Sequence, residues 1–114
     1  LKMFRIFKVA GTSMTPTYFP GDLVVSCSFF KPFVTKNSIV IFFDKYYSFV
    51  IKRVSFKNKQ YLFLKNDNSD IHSHFCERPL HIKQIKYIAL FKLETKYFKN
   101  LFQAFLNKIV NIFI

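Results

Sequence analysis

The sequence predicts a mainly β domain that ends in a helix. Three observations carry this. Apolar runs of strand length, rich in β-branched and aromatic residues, recur between residues 23 and 93. Four of the six Gly and Pro residues (Gly11, Pro16, Pro20, Gly21) crowd into one early segment instead of interrupting those runs. After Glu94 the apolar spacing changes from that of a strand to that of a helix.

Taken in order, residues 11–21 are turn-rich. LVVSCSFF (23–30) follows the PGD turn as a first β-prone run, and IVIFF (39–43) is a second. SFVIKRVSF (48–56) and QYLFLK (60–65) follow, with FKNK between them as a hairpin loop. Residues 66–81 are polar and irregular. IKQIKYIALFKL (82–93) favours a strand, because Ile, Tyr and Phe dominate and Gly and Pro are absent. In the tail, Phe98, Leu101, Phe102, Phe105, Ile109 and Phe113 recur at three- and four-residue steps, with Lys96, Lys99 and Lys108 between them. That predicts a β domain over 1–93 and an amphipathic helix over 94–114, packed on the domain or lying at a membrane surface.

A chain of 114 residues supports one domain with one modest core, and a 51% hydrophobic content excludes a disordered chain. The excess of Lys, Phe, Ile and Asn points to AT-rich coding as much as to function. The net charge of +12 suits nucleic acid or an anionic membrane surface. The cations are scattered singly, with no zinc-finger spacing and no helix-turn-helix pattern, so no specific nucleic acid partner is expected. Cys27 and Cys76 form no disulfide framework and read as two buried thiols, with a single bridge as the alternative in an oxidising space. No run of about 20 apolar residues could span a bilayer as a helix.

The chemistry centres on GTSMTPT (11–17). A serine hydroxyl is a weak nucleophile until a base removes its proton. His72, His74 and His81 are the available histidines, two of them in the polar loop, and no GxSxG elbow is present. The other solution is a lysine base, which must be neutral to act. At an ordinary pKa of ~10.4, about one lysine in a few thousand is neutral at pH 7, and each tenfold gain takes about 1.4 kcal/mol of differential desolvation. The base therefore belongs inside an apolar run. Lys52, flanked by Phe49, Val50, Ile51, Val54 and Phe56, meets that test best. On a strand, Lys52 and Arg53 point to opposite faces. Two other constellations are weaker. His72, His74 and Cys76 lack the four ligands and paired spacing of tetrahedral zinc. Asp67 and Asp70 carry little as paired acids. No metal or cofactor is expected.

GTSMTPT, then GD (21–22), IVIFF, VIKRV (50–54) and NDN (66–68), in that order, resemble the serine–lysine peptidases. That group includes type I signal peptidases, the mitochondrial inner-membrane peptidase and LexA-type repressors. Its members carry a G-x-S-M-x-P-T box, a G-D, a hydrophobic strand, a K-R-V box and a G-D-N box. The resemblance covers roughly residues 8–93. It implies a mostly antiparallel β fold of the signal peptidase/LexA catalytic type, with the site in a groove. It implies Ser13 as nucleophile, Lys52 as general base and the Ser13 backbone N–H as oxyanion donor. Met14 would shape a substrate pocket. Gly11 occupies the place where some relatives carry an oxyanion hydroxyl. Pro16, Thr17, Gly21 and Asp22 would be scaffold, and Arg53, Asp67 and Asn68 would support the site.

The third box departs from the pattern. Asn66 replaces its glycine, and the serine that orients the base lysine falls at His72 or Ser73. Its Asp-Ser-Arg element is not recognisable, with Arg78 as the nearest stand-in. Residues 1–12 leave only Ala10–Gly11 as a small-residue pair, adjoining Ser13, so LexA-type self-cleavage is not expected of this segment. The signal peptidase branch fits better, because LKMFRIFKVAG and the Phe/Lys tail suit a membrane surface. The expected function is cleavage of exported or precursor proteins at small residues, membrane-associated and on the extracytoplasmic side. A soluble branch would put it in the cytoplasm. The alternatives are a non-catalytic relative acting as a binding or accessory module, and a fragment of a LexA-type regulator.

Overall fold

The computed structural model describes residues 3–28, 33–93 and 110–113. Among the described residues eight strands follow one another: β1 (Phe4–Ala10), β2 (Leu23–Cys27), β3 (Ile39–Asp44), β4 (Ser48–Lys57), β5 (Tyr61–Lys65), β6 (Leu80–His81), β7 (Ile85–Leu93) and β8 (Val110–Phe113). They form one sheet in the order β3-β7-β2-β1-β8-β4-β5-β6. An additional β3–β4 pairing joins the two ends of the first part, so β3, β7, β2, β1, β8 and β4 close a ring, and β5 and β6 extend from β4. Every pairing is antiparallel except those of β8, which runs parallel to both β1 and β4.

The fold is mainly antiparallel β, as the sequence and the resemblance imply. β1 is an element the sequence reading did not assign. Its pattern is legible afterwards: Phe7 and Val9 are buried while Lys8 between them is exposed, the two-residue period of a half-buried strand. The tail differs from expectation. Val110–Phe113 is a strand, which corrects the end of the expected helix. Here main-chain pairing with β1 and β4 overrides a helical side-chain pattern. The rest of that expectation, residues 94–109, lies outside the described residues.

Apolar side chains pack in two clusters. One joins Val34, Val40, Phe42, Val50, Val54, Leu62, Leu64, Leu80, Ile85 and Ile88. The other joins Phe7, Val9, Met14, Tyr18, Val24, Ile41 and Ile51. β4 contributes to both, because successive residues face opposite sides. Val50 and Val54 enter the first cluster and Ile51 the second. Lys52 therefore shares a face with two core valines. Both cysteines are free thiols, Cys27 buried and Cys76 half-buried.

Candidate active site

The segment between β1 and β2 is a compact loop. Gly21 has φ +96, a left-handed conformation that suits glycine. Its N–H donates to the Val9 carbonyl at 2.8 Å, and Val9 N–H donates to the Asp22 carbonyl at 2.9 Å, closing the loop's neck. The Asp22 carboxylate accepts from Phe19 N–H at 2.8 Å and pairs with Lys92 at 3.8 Å. Gly11 also has a positive φ, +131, where the chain leaves β1. The Thr15–Pro16 bond is cis. Gly11, Pro16, Gly21 and Asp22 thus shape the loop that presents Ser13.

Ser13 and Lys52 meet. Lys52 Nζ lies 3.3 Å from Ser13 Oγ, and neither residue has exposed surface. Lys52 is opposite the buried Val40 on β3 and between Val50 and Val54 along β4. Stripped of water there, its ammonium is disfavoured, and its pKa falls from 10.5 to about 8. A Cys76 thiolate would act the other way, favouring the lysine's charge. Burial in turn pushes the Cys76 thiol up, while the Lys52 charge pulls it down.

Arg53, the next residue, reaches the opposite environment. Its Nε donates to Asp67 Oδ1 at 2.6 Å and its Nη2 to Asp67 Oδ2 at 2.8 Å, while Nη1 donates to the Asn37 carbonyl at 2.7 Å. Thr17 Oγ1 adds a bond to Asp67 Oδ2 at 2.5 Å. Burial raises the Asp67 carboxyl, and the bonds from Arg53 and Thr17 outweigh it, so the group titrates below its ordinary value. Asp67 thus ties the serine loop to β4. Asn68 ties the same loop to the third box. Its backbone N–H donates to the Ser13 carbonyl at 2.9 Å, and its Nδ2 contacts the Thr12 carbonyl and Thr15 Oγ1, each at 3.1 Å.

Two expected site residues are placed elsewhere. Met14 is 1% exposed and packs in the second core cluster with Phe7, Tyr18 and Ile51, so it fills the core. Ser73 does not orient Lys52. Its hydroxyl accepts from Phe75 N–H and caps a short 3-10 turn over His74–Cys76. That turn brings Cys76 into the electrostatic reach of Lys52 instead. Cys76 Sγ lies 3.8 Å from Asn66 Oδ1, and Asn66 Nδ2 donates to the Ile71 carbonyl at 2.7 Å. The departure of Asn66 from glycine therefore has a local use, since its amide folds the loop that carries Cys76. His74 packs at a tilt against the rings of Phe75 and Tyr47, and His72 with Ser73 lines a small surface cavity there. Among the described residues no cluster of three or more His, Cys, Asp or Glu is arranged to hold a metal.

What the arrangement can do chemically is specific. A lysine with a pKa near 8, touching a serine hydroxyl in a buried setting, can exist neutral and accept its proton. No curated protein matches the chain in a search of such proteins. The family model Peptidase S24-like matches residues 2–91, a span that contains Ser13, Lys52, Arg53, Asp67 and Asn68. With most of its length matched, the chain belongs to the peptidase S24-like family, within the LexA and signal peptidase type of fold.

Proposed function

We propose that this chain is a serine endopeptidase in which Ser13 is the nucleophile and Lys52 the general base, acting on exported or precursor proteins in the manner of signal peptidases. The observation that carries the proposal is the 3.3 Å contact between Lys52 Nζ and Ser13 Oγ, with both groups buried. At a pKa of about 8, roughly a tenth of Lys52 is neutral at pH 7. That is several hundred times the neutral share of an ordinary lysine.

In this reading neutral Lys52 takes the Ser13 proton as Oγ attacks the scissile carbonyl carbon. The Ser13 backbone N–H donates to the resulting oxyanion. Lys52 then returns the proton to the leaving amine as the carbon–nitrogen bond breaks, leaving an acyl group on Oγ. Water, deprotonated by Lys52, releases the acid and restores the serine. Arg53, Asp67 and Asn68 touch none of the reacting atoms; they hold the Ser13 loop against β4 and so fix the contact distance.

The substrate is an extended peptide with small residues at the cleavage site. An anionic membrane surface is the proposed place of action, with the domain on the extracytoplasmic side. Exposed aromatic side chains at Phe19, Phe43, Tyr46 and Phe91, together with the net charge of +12, support that placement. No helix among the described residues is long and apolar enough to cross a membrane. The test compares wild type with Ser13→Ala and Lys52→Ala on a panel of precursors with Ala-x-Ala sites, with anionic vesicles present and absent. Cleavage by wild type alone supports the proposal. Equal behaviour of all three proteins rejects it.

A further inference from the structure

β8 is the odd member of the ring. It is four residues long, its two pairings are the only parallel ones among the described residues, and no hairpin joins it to either neighbour. It lies between β1, which leads into Ser13, and β4, which carries Lys52. Its register is Phe7↔Val110 through Ala10↔Phe113 on one side and Val50↔Phe113 on the other. Ser13 follows Ala10 by three residues and Lys52 follows Val50 by two. At a strand's rise, two more residues beyond the Phe113 position, about 7 Å, bring an occupant's main chain level with Lys52. A peptide adding itself to these two strand edges would thus be delivered to the Ser13–Lys52 contact.

We propose that residues 110–113 occupy the slot that receives the substrate's main chain, so that this segment is a tethered competitor of substrate. The inference rests on Ser13 and Lys52 being the reacting pair. The slot takes an extended peptide running in the direction of β1 and β4, and the chain fills it with its own strand. Short parallel pairing is the least costly in the ring to give up, being slightly weaker per residue than antiparallel pairing. Being part of the same chain, such a ligand competes intramolecularly and excludes weaker peptides without any added contact. Substrate must therefore displace β8, and a partner or surface that draws the segment away would switch the site on.

The test uses the full chain in two variants and two readouts. Asn111→Pro removes a ladder donor from the middle of β8. Ala10→Cys with Phe113→Cys places a thiol pair at opposed register positions, within disulfide reach across neighbouring strands. Binding is read by fluorescence anisotropy of a labelled peptide LNKIVNIFI, all proteins carrying Ser13→Ala so that nothing is cleaved. Cleavage is read separately on Ser13-intact forms. In Asn111→Pro the peptide should bind about tenfold tighter or more than in the parent. The cysteine pair should link under oxidant, as located by peptide mass spectrometry, and the linked form should lose the binding that reduction restores.

A folded cysteine variant that forms no link overturns the proposal, since β8 is then not beside β1. Equal peptide binding by parent, linked and reduced forms, including none, also overturns it, because β8 is then a permanent strand. If Asn111→Pro fails to fold, the linked and reduced forms decide alone. Slot opening without any cleavage rejects the peptidase reading, and with it the claim that the slot's ligand is a substrate, while β8 stands as a displaceable strand over a peptide-binding slot. Undiminished cleavage with β8 linked in place does the reverse.

Discussion

Replacing Lys52 by Met should make the protein more stable near neutrality. In the folded chain the lysine's pKa is about 8, against an ordinary 10.5. The unfolded chain therefore holds the proton more tightly. Each pKa unit is worth about 1.4 kcal/mol, so keeping the buried ammonium below pH 8 costs about 3 kcal/mol. Between pH 8 and 10.5 the folded chain has released a proton that the unfolded chain retains, so this cost fades as pH rises. Methionine fills a similar volume without charge, but the contact with Ser13 is lost, worth about 1 kcal/mol and largely independent of pH. The net expectation is a gain of about 2 kcal/mol for Lys52→Met at pH 7, disappearing or reversing by pH 10.5. Urea unfolding followed by circular dichroism at several pH values between 7 and 10.5 measures both curves. Other lysines and tyrosines titrate in that window in both proteins, so only the difference between the curves matters. If the two curves run parallel, Lys52 is not a desolvated base and the reasoning fails. The stability given up at this position is what a basic amine at neutral pH requires.

On the proposed function, kcat/KM should rise with pH along a single-proton limb centred near 8, as Lys52 loses its proton; a limb centred near the histidine range would point to a different base. Asp67→Asn should cost about 2 kcal/mol at pH 7, because it removes the charge that accepts from Arg53 and Thr17. The folded pKa of Asp67 is depressed, so its contribution is complete above the unfolded value of 3.8 and is lost as pH falls through the folded one. The gap between wild type and Asp67→Asn, measured by urea titration, should therefore close in acid, and a gap that stays constant would show that charge is not the cause. Gly21→Ala should cost about 1 kcal/mol, visible as a lower Tm, from backbone conformation alone. The space around a Cβ at that position is open, so a loss of several kcal/mol would mean that the loop is packed differently.

The sequence brought Ser13 and Lys52 together as a candidate pair because the physics of a lysine base is local. A low pKa needs apolar neighbours, and strand alternation makes those neighbours readable in VIKRV. Strands β3, β4 and β5 were legible for the same reason. β1 was not, because Arg5 and Lys8 gave it the look of a membrane-flanking segment; Arg5 instead lies over the rings of Phe7 and Phe49. The surroundings of Lys52 were legible only in part. Which side chain of an irregular loop comes to rest near a buried amine depends on long-range contacts, here the Asn68 bonds to the serine loop and the Asn66 bond within its own. A family pattern directs attention to Ser73, while those contacts bring Cys76. The tail shows the opposite limit. Its side-chain spacing argues for a helix, yet at 110–113 two strand edges distant in sequence supply main-chain partners.

Lys52 and Arg53 are neighbours in sequence, separated in environment by the thickness of one backbone. A slip of β4 by one position against β3 would exchange them, bringing a guanidinium that cannot give up its proton to Ser13 and leaving Asp67 facing the wrong side. The tolerance of β4 to inserted or deleted residues should therefore be sharply uneven along its length. Between Ser48 and Arg53 every residue is matched to β3 without a break. Between Val54 and Phe56 the pairing with β5 already carries an irregularity that absorbs an extra residue. Length changes tolerated beyond that point would be ruinous before it, so the spacing from the β3–β4 turn to the lysine is the part of this chain least free to drift.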